Sequence, residues 1–341
     1  MAGRSKIEQD DPSLIPHPRL SSTLYGHRAV MAAFERAMNS GQIPHAWLLV
    51  GPEGIGKATV AYHVARKLLT ASSTGLFAPS EQDIAAKIAQ SSHPDLLVLE
   101  TSDDKTTIPV DEVRDILHLM RHTPYESYRR IVIIDPIEAL NPNAANALLK
   151  ILEEPPSHAI FFLISHHPNA LLPTIRSRCL MVHMHPPSRQ DTLSIMRSIQ
   201  ADIPAHETEA YLSLANDAAG YAIQLAKVKG LTIYKECLHY LLSLKTEAVS
   251  WSQPLLAFMD VTSLPFILDT AFSRAIKYAS HIPFGDYLIN EEEALLANIT
   301  GKLSIEMLLN VRNTALEQLA LSDKVHLDKP SIIRSLCSYA E

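Results

Sequence analysis

The sequence predicts a doubly wound α/β domain with a parallel sheet, followed by helices alone. Three observations carry that prediction. Short apolar runs alternate with amphipathic segments through the first half. A glycine-rich turn, VGPEGIGKATV from Val50, follows the first clear run. After His185-Pro186-Pro187 the strand pattern stops. Alternating strands and helices are the signature of βαβ units, and such sheets bind ligands beyond the carboxyl ends of their strands.

The elements follow in order. Residues 47–50 (WLLV) form a buried strand, the loop from Gly51 follows, and residues 59–69 continue as a helix. Residues 95–99 (DLLVL) are a second strand. A helix opens at Pro109, a residue suited to a first helical turn, with Val113, Ile116, Leu117 and Met120 on one face. Residues 131–134 (IVII) are a third strand, ending in Asp135. Asn141 and Pro142 supply an N-cap and first turn for a helix over residues 143–153, which Pro155-Pro156 terminates. Residues 160–164 and 180–184 are the fourth and fifth strands. Ser188 caps a helix through Ile199, two helical segments lie between Glu207 and Lys229, and amphipathic helices broken at Pro254, Pro265, Pro283 and Pro330 follow. The reading is three units: an α/β domain over 1–185, a small helical lid over 186–229, and an all-helical domain over 230–341.

Bulk properties narrow the function classes. The chain has 341 residues, 47% hydrophobic and 20% charged, as expected of a globular protein with more than one domain. Its apolar runs are far shorter than the roughly 18 residues a membrane span needs, and the polar N-terminus has no signal-peptide core. The expectation is a cytoplasmic protein. A formal net charge of −7 argues against a chain that grips DNA by itself, though not against membership of a DNA-handling assembly. The three cysteines, Cys179, Cys237 and Cys337, are widely spaced, which speaks for core thiols rather than a disulfide framework or zinc module.

The chemistry-bearing stretch is the glycine-rich turn. Gly51, Gly56 and Lys57 satisfy G-x-x-x-x-G-K, with Gly54 adding flexibility, and the strand–loop–helix context is present. Convergent backbone N–H groups and a helix N-terminus cradle phosphate there, and Lys57 reaches the β- and γ-phosphates. The next residue should carry a hydroxyl for magnesium, but it is Ala58. Thr59 lies one residue on, rotated about 100° around the helix. Asp135 ends its apolar strand where a magnesium-holding aspartate belongs. The following position, commonly a glutamate that orients water, is Pro136, and Glu138 reads as a solvated carboxylate.

Two further stretches, NAANALLKILEEPP from Asn143 and LLPTIRSRC from Leu171, flank the fourth strand. With the phosphate loop, this series resembles bacterial clamp-loader subunits of the AAA+ ATPases. Ser177-Arg178-Cys179 is its most specific mark. The resemblance covers most of residues 20–230 and implies an AAA+ P-loop domain, a lid and a C-terminal collar. Ala58, Pro136 and Gly220, which stands where active relatives place a sensor arginine, resemble a non-hydrolysing member of the family. No cysteine falls in residues 69–93, where many relatives insert a zinc module, so no zinc is expected.

The resemblance implies that Arg178 completes the ATP site of a neighbouring tau/gamma-type subunit. Guanidinium suits that task, being always charged and fork-shaped toward phosphate. The nucleotide-contacting positions would be Gly51, Gly54, Gly56, Lys57, Thr59 and Asp135, with ATP or ADP binding residual and no cofactor required. Implied partners are tau/gamma-type and delta-type subunits, and the sliding clamp and primer–template DNA through the assembly. Two other readings stay open: an active AAA+ ATPase using Thr59 and an unrecognised base, and a stand-alone P-loop switch or kinase.

Other signals carry less. Ser165 occupies a γ-phosphate-sensing position by resemblance and is otherwise a loop polar residue beside His166-His167. His183 and His185 share a strand face without a third ligand at recognisable spacing. Glu291–Glu293 reads as a solvated helix start. Lys150, Arg129 and Arg130 are either near DNA phosphates or solvent-facing. Leu303, Met307, Leu308 and Val311 are either helical core or a partner seam.

Overall fold

The computed structural model describes residues 16–72, 80–101, 107–199, 203–244 and 262–325. Cys337 and the helix breaks at Pro254 and Pro330 lie outside them. The chain divides into two compact units, Met1–Gln200 with Ala218–Gly220, and Ala201–Asp217 with Tyr221–Glu341.

The first unit is built on a five-stranded, all-parallel sheet in the order β2-β3-β4-β1-β5. Its strands are β1 (Ala46–Val50), β2 (Leu96–Glu100), β3 (Arg130–Asp135), β4 (Ala159–Ser165) and β5 (Leu180–His183). Burial follows position in the sheet. The continuous apolar runs AWLLV, RIVII and AIFFLIS are buried throughout and hold the three central places, while β2 and β5 are partly exposed at the edges. Helices α1 (Arg28–Asn39), α2 (Lys57–Ser72), α3 (Glu81–Ala89), α4 (Val110–Met120), α5 (Pro142–Glu153), α6 (Pro173–Arg176) and α7 (Arg189–Ser198) belong to this unit.

The local signals act as chemistry dictates. Asn141 caps α5 by accepting the Ala144 N–H at 2.8 Å, with Pro142 at the first helical position. Ser188 caps α7 through the Asp191 N–H. A capping box between Ser80 and Asp83 starts α3, which the sequence analysis did not foresee; nor did it place α1. Pro109 is the N-cap of α4 rather than its first residue.

A buried ion pair fixes the loop between α4 and β3. Asp95, fully buried, accepts the backbone N–H groups of Tyr125, Glu126 and Ser127 at 2.8, 2.8 and 3.0 Å. It pairs with Arg130 at 3.2 Å, and Arg130 donates onward to the carbonyls of Leu119, His122 and Thr123. Burial pushes the Asp95 carboxyl up, but the N–H bonds outweigh it and hold its pKa below the ordinary value. Arg130 is thus neither a DNA-facing nor a solvent-facing charge, because it is buried and both its terminal nitrogens bond inside the fold.

The second unit is helical: α8 (Ala205–Leu214), the body of α9 (Ala219–Lys227), α10 (Gly230–Ser243), α11 (Leu264–Ala279), α12 (Glu292–Lys302) and α13 (Ile305–Val325). Leu303, Leu308 and Val311 are buried and belong to the core, while Met307 of the same stripe is half-buried. Pro265 opens α11 and Pro283 lies in the loop after it. Glu292 overturns the reading of Glu291–Glu293 as a solvated start. It is fully buried, accepting from Arg274 at 2.6 Å, Tyr234 at 2.8 Å and the Leu288 N–H, while Glu291 pairs with Lys235 at the surface. Cys237 is buried in this core, and Cys179 packs against that of the first unit.

Removing one partner of a buried pair strands the other charge. Asp95→Ala should lower folding stability by about 3–5 kcal/mol, read as a fall in the urea midpoint of unfolding; an unchanged midpoint would contradict the anchoring role.

Candidate functional site

The glycine-rich loop joins β1 to α2 at the carboxyl edge of the sheet. Gly51 is required by proximity: a Cβ there would lie 2.4 Å from the Met184 carbonyl oxygen. Gly56 adopts φ 98°, and His27 packs beside it, its Nε2 lying 2.8 Å from the Ile55 carbonyl oxygen. Sequence reasoning missed His27, because only the fold brings it to the loop.

Lys57 opens α2, and its ammonium donates to the carbonyls of Gly51 and Pro52 at 2.6 and 2.5 Å. Burial lowers its pKa from 10.5 to about 8, against the pull of Asp135, Glu53 and Glu138. Asp135 ends β3, paired in register with Glu100 at the end of β2. Burial raises Asp135 from 3.8 to about 6; Lys57 opposes that shift and Glu100 adds to it. Lysine and aspartate therefore stand together, as the loop motif and strand ending required.

The neighbouring positions depart from a hydrolytic site. Ala58 and Pro136 present no polar side-chain group. Thr59 is half-buried in the first turn of α2. Glu138, read from sequence as solvated, is instead drawn inward: one oxygen accepts from the Ser165 hydroxyl at 2.5 Å and from the His166 and His167 N–H groups at 2.9 and 2.8 Å. Burial raises its pKa, but these bonds prevail and hold it below the ordinary value. Glu138 thereby ties the turn after β3 to the end of β4, and Ser165 is fully buried. His166 is pushed down to about 4 by burial and by Lys57.

Gly220 also reaches the loop, within the first unit. Its N–H donates to the Gly54 carbonyl at 2.9 Å, and a Cβ on it would lie 3.0 Å from that oxygen and 3.1 Å from the Gly54 Cα. The backbone contact leaves little room for a side chain at this position.

The residues fit a phosphate group at the glycine backbone and Lys57. They do not fit magnesium activation of water, since neither a hydroxyl at 58 nor a carboxylate at 136 is present. Among the described residues no group of three or more His, Cys, Asp or Glu is arranged to hold a metal ion. His183 and His185 are exposed, as is Lys150.

Arg178 lies apart from this cluster. It follows α6, its NH1 donating to the Thr174 carbonyl at 2.9 Å and the Ser177 hydroxyl at 3.3 Å, and its NH2 pairing with Glu153 of α5 at 2.7 Å. Its side chain is 33% exposed. Glu153 belongs to the quoted LEEPP stretch, yet nothing in sequence spacing marks it as the partner of Arg178.

A phosphate loop after β1, an aspartate ending β3 and a buried serine ending β4, on a parallel sheet ordered 2-3-4-1-5, make the first unit a P-loop domain of the AAA+ class. Residues 26–188 match a family model described as DNA polymerase III, delta subunit. The protein named DNA polymerase III subunit delta' of Pseudomonas aeruginosa is 41% identical over 174 residues, 51% of this chain and 53% of that one. The protein named DNA polymerase III subunit tau of Escherichia coli (strain K12) is 30% identical over 209 residues, 60% of this chain and 31% of that one. A solved structure of a gamma subunit-related protein from Thermotoga maritima aligns over 90% of this chain and 98% of its own at 19% identity and TM-score 0.39. The chain spans about half the length of the delta' relative it matches. Residues 26–188, just under half of the chain, are thus similar to the delta and delta' subunits of DNA polymerase III. Among the described residues no helix is long and apolar enough to cross a membrane.

Two outcomes follow from this geometry. Gly220→Ala should destabilise the first unit by about 1–3 kcal/mol through overpacking against the loop, seen as a lower melting temperature. Asp135 has a raised folded pKa, so the cost of ionising it in the fold sets in as pH rises from 3.8 to about 6 and persists above. Asp135→Asn should therefore gain stability relative to the parent by about 3 kcal/mol between pH 3.5 and pH 7; parallel urea titrations at both pH values would refute this if the difference stayed constant.

Proposed function

We propose that this chain is a non-hydrolysing, delta-prime-type subunit of the DNA polymerase III clamp loader. In this reading it hydrolyses no ATP and polymerises no DNA, acts in the cytoplasm, and completes the ATP site of an adjacent tau/gamma-type subunit with Arg178. The observation that carries the reading is a division of labour within one domain. The phosphate loop keeps its glycines and Lys57, but Ala58 and Pro136 stand at the two positions that hydrolysis needs, while Arg178 is partly exposed just after a short helix anchored by buried Ile175. A guanidinium so placed can reach a triphosphate across a subunit boundary, where it stabilises charge developing on the γ-phosphate.

The remaining assignments follow from the same reading. No cofactor is required and no zinc is bound; any ATP or ADP held by Gly51, Gly54, Gly56, Lys57, Thr59 and Asp135 is residual. The helices over 230–341 supply the collar that joins tau/gamma-type and delta-type neighbours, and contact with the sliding clamp and primer–template DNA comes through the assembly. Neither alternative has comparable support. An active ATPase needs a base, and Glu138 has one oxygen held by Ser165 and two backbone N–H groups and the other buried without a hydrogen-bond partner. A stand-alone switch gives Arg178 no task.

Arg178→Ala in the reconstituted assembly should lower ATP turnover by about 10³-fold or more, while the isolated chain with ATP and magnesium stays at background. Undiminished turnover by the assembly, or steady turnover by the isolated chain, overturns the proposal.

A further inference from the structure

The contacts of Arg178 extend that reading to a second residue. The guanidinium is held from two sides. Thr174, one turn back along its own segment, and the adjacent Ser177 take NH1, and Glu153 at the last turn of α5 takes NH2 at 2.7 Å. The backbone beneath is fixed as well: the Ser177 N–H bonds the Pro173 carbonyl, the Arg178 N–H bonds the Ile175 carbonyl, and Ile175 is 2% exposed in the core of the sheet domain. The Arg178 Nε makes no hydrogen bond among the described residues. One edge of the fork is therefore tied to the protein and another is left for an anion. The C-terminal end of α5 carries the negative end of its dipole, which also favours a cation there.

We propose that Glu153 is the positioning residue for Arg178, holding the guanidinium in the orientation in which it enters a neighbouring subunit's triphosphate. This inference rests on the trans-acting role of Arg178. The physical ground is pre-organisation. An arginine side chain has many rotamers, and freezing them at the moment of reaction reduces the benefit of its charge. A carboxylate on one edge restricts them beforehand. The opposite role, a latch that withholds Arg178 from phosphate, would instead make turnover rise when Glu153 is removed. Glu154, the next residue, carries the same charge without bonding Arg178, so local charge and specific contact can be separated.

The test compares steady-state ATP turnover of assemblies reconstituted from tau/gamma-type ATPase subunits and this full-length chain, carrying Glu153→Ala, Glu153→Gln, Glu154→Ala or Arg178→Ala. Misplacement of a catalytic group by about 1 Å costs up to about 10²-fold. Glu153→Ala should accordingly lower kcat by roughly ten-fold or more with KM for ATP unchanged. Glu153→Gln retains a carbonyl acceptor at the same place and should recover most of the loss, and Glu154→Ala should match the parent. If Arg178→Ala lowers turnover while Glu153→Ala leaves kcat unchanged or raises it, the positioning role is wrong and the trans-acting arginine survives. An equal loss with Glu154→Ala reduces the effect to local charge and also refutes the positioning role. If Arg178→Ala itself changes nothing, the underlying reading fails instead.

Discussion

Strand β3 carries a buried charge at its start and a half-buried one at its end, and the sheet domain depends on how each is accommodated. At its start Arg130 meets Asp95, and between them the pair hydrogen-bonds five backbone groups of the segment that joins α4 to β3 and the Leu119 carbonyl in the last turn of α4. At its finish Asp135 faces Lys57 with too few bonds to offset burial, and its carboxyl is raised to about 6. The same four-residue apolar run thus connects a well-bonded ion pair to a costly one. Stability concentrates at the amino edge of the sheet and chemical potential at the carboxyl edge, which is the polarity expected of open α/β sheets.

The carboxyl edge has been rebuilt around that tension. The positions after Lys57 and Asp135 are Ala58 in α2 and Pro136 after β3, and Glu138 bonds the end of β4. Lys57 turns to the carbonyls of its own loop. These are internal bonds among groups that a hydrolytic site would direct at substrate. Gly220 presses its backbone onto Gly54 from the other side. The arrangement gives Lys57 and one oxygen of Glu138 structural partners within the fold.

The second unit repeats the device of the first. Arg274 and Glu292 are buried together, and between them they bind Tyr234, the Leu288 N–H and the carbonyls of Phe284 and Asp286. As with Asp95 and Arg130, the charges organise a connecting loop rather than a ligand. Each unit therefore uses one buried pair to fix irregular backbone that helices and strands leave unsatisfied.

Sequence by itself determined what depends on near neighbours. The buried runs became central strands because apolar continuity needs no partner identity, and Asn141 and Ser188 became caps because their acceptors lie three residues from the N–H they bind. The phosphate loop and its missing groups were equally legible, being contiguous. Tertiary structure decided the charged residues whose partners are remote: Arg130 with Asp95, 35 residues away, Glu138 with Ser165, 27 away, and Glu292 with Arg274, 18 away. Each read as a surface charge, since composition gives no sign of burial until a distant counter-charge or hydroxyl arrives. Arg178 shows both sides. Its motif singled it out, but only the packing of α6 against α5 set Glu153 beside it and fixed which edge of the guanidinium is held.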